Sequence, residues 1–202
     1  MEYLVGKSIE PTDIKAGAIF VYENAVPHWK DIIDGFEKEV ADVTSGLRYD
    51  FAKTTSGDWN GPRRNKILHI TDSATKGNDY ARKIHNQVGA LLVDHLVGYA
   101  KYFDTTFTYQ EPYSLLKYEG ETKDHYDAHY DGGPATGRWI SAIIYLNDDY
   151  EGGYIHFPDH NIAIKPKAGT LMIFPSNYAY RHIAHEVTSG TKYAIVTWIG
   201  GD

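Results

Sequence analysis

At Pro112-Tyr-Ser-Leu-Leu-Lys-Tyr118 the chain changes period. Upstream, apolar residues recur every three or four positions. From here on they recur every second position, the spacing that sends successive strand side chains to opposite faces. Candidate strands follow at 113–118, 126–130, 139–146, 153–157, 162–164, 170–174 and 192–199. Turn formers separate them: Asp131-Gly-Gly-Pro134, Asn147-Asp-Asp149, Glu151-Gly-Gly153, Pro166-Lys-Ala-Gly169 and Ser189-Gly190. Working back from Pro112, a helix over 78–102 carries Ile84, Val88, Leu91, Leu92, Leu96 and Tyr99 on one stripe. An earlier one, starting near Pro27, carries Trp29, Ile32, Ile33, Phe36 and Val40. Between them, residues 53–65 are rich in Gly, Pro and Asn and read as a long loop of the lid or binding kind. Many short strands after a helical half predict an α+β fold with a double-stranded β-helix (jelly-roll) core and helices packed on one face. No repeat, linker or low-complexity segment interrupts the chain. The expectation is one domain over 1–202, with 1–111 as mainly helical support and substrate loop and 112–202 as the β core.

Composition narrows the chemistry. The chain has 202 residues, 42% hydrophobic, with 17 tyrosines, enough for a packed core. It has no cysteine, so disulfides, thiolate zinc sites, iron–sulfur clusters and cysteine nucleophiles are excluded. Any transition metal must be held by imidazole and carboxylate, and ten histidines are present. With 27 acidic against 20 basic residues the net charge is −7, which argues against a nucleic-acid partner. Met1-Glu2-Tyr3-Leu4 has no basic n-region and no stretch reaches the roughly 20 apolar residues of a membrane span. A cytoplasmic protein without a membrane partner is the expectation.

The densest chemistry is His125-Tyr-Asp-Ala-His129-Tyr-Asp131. Residues two apart on a strand share a face, so a His-x-Asp pair presents an imidazole beside a carboxylate. A distant histidine would complete two histidines and one carboxylate, the set that leaves coordination positions open in non-haem Fe(II) oxygenases. Spacing alone leaves His129/Asp131 and His125/Asp127 equivalent, and His182 and His185 likewise. It also leaves the bland reading, a solvated turn beside Gly132-Gly133, as the commoner outcome for an isolated His-x-Asp. In the last strand Lys192 shares a face with Ala194, Val196 and Trp198. Such a lysine either meets an anion or snorkels to water from the strand's start. Tyr145 shares a face with Ser141 and Ile143, where a core tyrosine bonded to backbone is the ordinary outcome.

Taken in order, these segments resemble the 2-oxoglutarate- and iron-dependent dioxygenases of the prolyl 4-hydroxylase type. The resemblance covers residues 112–202 and rests on Leu116-Lys-Tyr118-Glu-Gly120 before Tyr126-Asp-Ala-His129-Tyr-Asp131. It continues through Arg138 to Tyr145-Leu-Asn-Asp-Asp149, Glu151-Gly-Gly153 and Phe157-Pro158. Lys167-Ala-Gly169, Phe174-Pro-Ser176, His182 and Val187-Thr-Ser-Gly-Thr-Lys192-Tyr193 to Trp198 complete it. Two extra residues between Gly120 and Tyr126, and Glu186 where proline is frequent, depart from the common pattern. The resemblance implies Fe(2+) on His129, Asp131 and His182, because a tyrosine stands three before the ligand histidine and the distal one five before Val187. It implies 2-oxoglutarate bound by Lys192 and Tyr145, with Tyr118 lining the pocket, and O2 as the other co-substrate. Ascorbate would serve as an accessory reductant. The implied reaction is hydroxylation of a C–H bond with release of succinate and CO2, and the implied substrate a proline in a peptide or protein. Arg138 falls near the substrate mouth, and Thr54-Thr-Ser-Gly57 resembles a segment near the substrate. Trp59, Arg63 and Arg64 of the 53–65 loop are the candidate lid. Hydroxylation of a free amino acid or other small molecule is the enzymatic alternative. A non-catalytic jelly-roll binding module is the non-enzymatic one, though it would have no reason to retain three ligands and a matched lysine. A two-histidine zinc hydrolase lacks its usual helical His-Glu-x-x-His pattern here.

Overall fold

A computed structural model describes residues 6–52, 61–133 and 136–201. The first half contributes strands β1 (Asp13–Lys15) and β2 (Ile19–Tyr22), helix α1 (Trp29–Ala41), and strands β3 (Asp50–Phe51), β4 (Arg63–Arg64) and β5 (Lys66–His69). Helices α2 (Ile70–Thr75) and α3 (Asp79–Tyr102) follow, then β6 (Tyr109–Gln110) and β7 (Ser114–Glu119). After these come β8 (His125–His129), β9 (Arg138–Tyr145), β10 (Glu151–Gly152), β11 (Ile155–Phe157) and β12 (Ile162–Ile164). The last are β13 (Thr170–Pro175), β14 (His182–Ala184), β15 (Val187–Ser189) and β16 (Thr191–Gly200).

All pairings among the described residues are antiparallel. The major sheet runs β1-β2-β13-β9-β16-β7-β5-β3, with β6 on the end of β16; the minor sheet runs β12-β11-β14-β8-β4. These are the two sheets of a double-stranded β-helix. The helices brace the major sheet. Asn78 caps α3 by accepting the Ala81 N–H at 2.8 Å. The α3 stripe of Ile84, Val88, Leu92, Leu96 and Tyr99 buries against Leu115, Ile144, Ile173 and Ile195 of the sheet, with Ile32 and Phe36 of α1 in the same core. Burying one such side chain is worth about 1.5–3 kcal/mol, so this contact supplies much of the stabilisation. The other face of the major sheet looks across a second, smaller core of Ile19, Val21, Met172 and Phe174 to Ile155 and Phe157 of the minor sheet.

The first half is less helical than its sequence suggests. Among the described residues six short strands from it extend the two sheets, among them Arg63 and Arg64, which pair with Tyr126 and His125 rather than lying in a free loop. Strands of two to four residues carry too few alternations to register as a period, and their pairing is decided by the sheet edges that they cover. Among the described residues no helix is long and apolar enough to cross a membrane.

Candidate metal centre and its pocket

The minor sheet brings His129 and His182 together by register: they are directly opposed on β8 and β14. One step along, Tyr126 opposes Ala184, so β8 spends three residues where β14 spends two. That bulge turns Tyr126 and His129 to the same side, where their rings stack at 3.5 Å. His125 and Asp127 are left on the outer surface, lining a separate cleft with His185. The geometry thus groups His129 and His182 on one side of the sheet and His125, Asp127 and His185 on the other. Asp131 lies past the end of β8 rather than on it, carried by a turn whose Gly132 N–H donates to the Ser176 carbonyl at 2.8 Å. A Cβ on Gly132 would stand 2.4 Å from the Arg138 carbonyl oxygen, so the turn closes only around glycine.

His129 Nε2 is 3.6 Å from Asp131 Oδ1, and His182 Nε2 is 3.7 Å from Asp131 Oδ2. The three ligand atoms lie within 4.8 Å of one another. The tautomers follow from the second nitrogens: His129 Nδ1 is 2.7 Å from the Asp127 carbonyl and His182 Nδ1 3.1 Å from that of Tyr180. A carbonyl only accepts, so each Nδ1 carries the hydrogen and each Nε2 offers its lone pair. Desolvation and the neighbouring His182 hold His129 well below the usual imidazole range. Burial alone would raise Asp131, but His182, His129 and the side-chain bonds from Ser141 and Trp198 outweigh it and keep the carboxyl low. A neutral imidazole beside an ionised carboxylate is the protonation state that a metal requires.

These three groups open into a cavity of about 470 Å³ between the two sheets. Lys192 lies on its wall, only 3% exposed. Its Nζ donates to the Gly153 carbonyl at 2.5 Å and sits 5.3, 5.2 and 5.9 Å from the ring centres of Tyr118, Tyr145 and Tyr150. No carboxylate among the described residues pairs with it, and desolvation pushes its ammonium down to about 7. Tyr118 stands opposite Lys192 on β7, and Tyr145 stands opposite Ala194 on β9. Burial raises Tyr118 to about 12 and Tyr145 well above its usual value, so both phenols keep their hydrogens.

Arg138 and Arg63 also line the cavity. Arg138 stacks 3.7 Å above the Trp198 ring and pairs with Glu111 at 2.6 and 2.7 Å, so its charge is already balanced. Arg63 lies 4.8 Å from the Tyr126 ring centre and donates to Asn65. Trp59 lies outside the described residues. Three residues that the sequence reading did not place at the site touch its ligands: Ser141, Trp198 and Tyr126. Ser141 and Trp198 are a cross-strand pair on β9 and β16, a relation visible only once register is known.

Residues 113–200 match the family described as the 2OG-Fe(II) oxygenase superfamily. Over 68 residues the chain is 37% identical to prolyl 3-hydroxylase 2 of Homo sapiens, covering 31% of this chain and 10% of that protein. Over 69 residues it is 33% identical to a putative prolyl 4-hydroxylase of Acanthamoeba polyphaga mimivirus, covering 30% and 28%. The match thus spans about a tenth of the human relative. Among solved structures, the prolyl hydroxylase of Trichoplax adhaerens, in complex with a hypoxia inducible factor oxygen degradation domain peptide fragment, superposes with a TM-score of 0.71 at 18% identity. That superposition covers 92% of this chain and 84% of the other. A Pseudomonas putida prolyl-4-hydroxylase gives 0.67 at 14% identity, covering 92% and 93%. At these identities the likeness is one of fold.

Proposed function

We propose that this chain, a prolyl 4-hydroxylase-like 2OG-Fe(II) oxygenase by the match of residues 113–200 and by its fold, hydroxylates a C–H bond of a peptidyl proline, with 2-oxoglutarate converted to succinate and CO2. One observation carries the reading: a two-histidine, one-carboxylate cluster shares a cavity with a buried ammonium that has no carboxylate partner among the described residues. The donor set fits Fe(II): two imidazole nitrogens and a carboxylate with no thiolate, arranged as the facial triad of such oxygenases. His129 Nε2, Asp131 and His182 Nε2 would hold the ion. When bound, iron with 2-oxoglutarate and O2 supplies the oxidising chemistry that side chains lack. The side chains bind, orient and exclude water. In this reading Lys192 neutralises the far carboxylate of the keto acid. Tyr145 donates a phenol hydrogen to the same group, and Tyr118 closes the side of the slot. A desolvated ammonium is costly alone and strongly attractive to an incoming dianion. Arg138, fixed by Trp198 and Glu111, and Arg63, over Tyr126, wall the mouth where substrate would enter.

A peptide as substrate is supported by the prolyl hydroxylase relatives, one of them solved with a peptide bound. The test is succinate formation from 2-oxoglutarate with Fe(II) and ascorbate, comparing wild type with His129→Ala and adding proline-containing peptides or free proline. Turnover that needs His129 and rises with the peptides is expected. Succinate formation that survives His129→Ala would overturn the ligand assignment. Stimulation by free proline alone would replace the peptide with a small-molecule substrate.

A further inference from the structure

We infer that Ser141, itself oriented by Ser176, is a positioning residue that keeps Asp131 a one-oxygen metal ligand; the inference rests on the metal reading proposed above. Asp131 lies beyond the last residue of β8, so no strand ladder fixes its carboxylate. Ser141 Oγ lies 2.6 Å from Asp131 Oδ2, and the two serine hydroxyls lie 2.8 Å apart. Each hydroxyl owns one hydrogen, and an ionised carboxylate only accepts. Ser141 therefore spends its hydrogen on Asp131, and Ser176 must donate to Ser141. The chain Ser176 to Ser141 to Asp131 has a single direction.

Burial makes that direction durable. Both serines are 1% exposed, so water cannot easily substitute for either hydroxyl. Ser176 also grips the turn through its main chain: its carbonyl accepts from Gly132 N–H, and its own N–H donates to Trp139 O, both at 2.8 Å. One residue thus sets the height of the Asp131 turn and the orientation of the hydroxyl that meets its side chain. Ser141 stands opposite Trp198 on β16, whose side chain also favours the ionised form of Asp131.

The consequence is for ligand number. Ser141 takes one lone pair of Oδ2, the oxygen 3.7 Å from His182 Nε2, and so weakens it as a ligand relative to Oδ1, which lies 3.6 Å from His129 Nε2. One carboxylate oxygen and two imidazole nitrogens leave three of six octahedral positions open. A second carboxylate oxygen would take one of the positions that the co-substrates need. A hydroxyl here thus protects vacancy as well as affinity.

The test titrates Co(II) into the full chain and follows its visible d–d bands, with circular-dichroism melts run alongside. Wild type should bind one ion. Ser141→Ala should weaken binding about 10- to 100-fold, the usual cost of losing a partner of a metal ligand, and should change the band shape. Ser141→Thr, which keeps the hydroxyl, should restore both. Ser176→Ala should produce a smaller loss with the same spectral change. Wild-type affinity and spectrum in Ser141→Ala would overturn the inference. If that variant does not fold, an unchanged spectrum and affinity in Ser176→Ala overturns it instead. Failure of wild type to bind, or binding unaffected by Asp131→Asn, would sink the metal reading and the serines' role with it.

Discussion

Replacing Lys192 with methionine should make the protein more stable and, in the proposed reading, less able to bind 2-oxoglutarate. The ammonium is buried, has one carbonyl and three tyrosine faces for company, and titrates near 7 instead of 10.5. At about 1.4 kcal/mol per pH unit, that displacement corresponds to about 5 kcal/mol by which folding disfavours the charged form. Methionine has similar length and no charge. Losing the bond to Gly153 gives back about 2 kcal/mol, leaving a net gain of about 3 kcal/mol. For a chain of this size that is roughly 6–12 °C in Tm. The pH dependence is specific. Below pH 7 both folded and unfolded chains hold the proton and the penalty is fully present. Between 7 and 10.5 the unfolded chain still binds a proton that the folded one has shed, so wild type gains stability as pH rises. The gap between variant and wild type should therefore be widest at pH 6 and narrower at pH 9. Thermal melts at the two pH values, repeated with Co(II) and 2-oxoglutarate, read all of this. Added 2-oxoglutarate should raise the Tm of wild type and leave Lys192→Met nearly unmoved. A variant that melts below wild type at pH 6 would refute the reasoning, because the ammonium would then be compensated already.

Three further outcomes follow from neighbouring features. Asp131→Asn should cut Co(II) binding by more than about 100-fold, because a neutral amide is a poor ligand and loses its charge-assisted bonds; the titration above measures it. Gly132→Ala should cost about 1–3 kcal/mol in urea unfolding, since its Cβ would press on the Arg138 carbonyl and on Ser176. Glu37 accepts from Tyr49, Lys117 and Tyr193, joining α1 to β7 and β16. Desolvation raises its pKa, but those bonds outweigh it and hold it below the usual value. Its contribution is therefore present above about pH 4.5 and lost as pH falls through the lowered value. Glu37→Gln should cost about 1–2 kcal/mol at pH 7, and the difference from wild type should vanish in acid; urea titrations at pH 7 and pH 3 decide it.

The β core was legible because its strands are long enough to show alternation. The expected 139–146 and 192–199 became Arg138–Tyr145 and Thr191–Gly200, and 162–164 was unchanged. The expected helix over 78–102 begins at Asp79 with Asn78 as its cap. The pattern left Lys192 either beside an anion or snorkelling to water, and the structure buries it. The bulge in β8 was not legible: strict alternation puts Tyr126 and His129 on opposite faces, and only pairing with β14 reveals the extra residue. The short strands β14 and β15 were not legible in the sequence. Ser141 carries no local signature, and the segment Phe174-Pro-Ser176 gives no hint of what its serine touches. Their roles arise from register between β9 and β13, where Ser141 pairs with Phe174, next but one to Ser176. Arg138 lines the cavity, and its partnership with Glu111 crosses from β9 to the segment after β6, a contact that spacing cannot foresee.

The cavity's two walls are unequally supported. The major sheet, with Lys192, Tyr145 and Ser141, is backed along its length by the helical core. The minor sheet, with His129 and His182, shows its other face to solvent at Asp127, Ala128 and Ala163. Asp131 belongs to the stiff wall through the serines, and the histidines to the compliant one. An ion shared by all three would act as a rivet between a fixed plate and a springy one. The cost of seating it would then fall mainly on the histidine sheet, whose stiffness would set how readily the metal comes and goes, while Lys192 stays where the helices hold its strand.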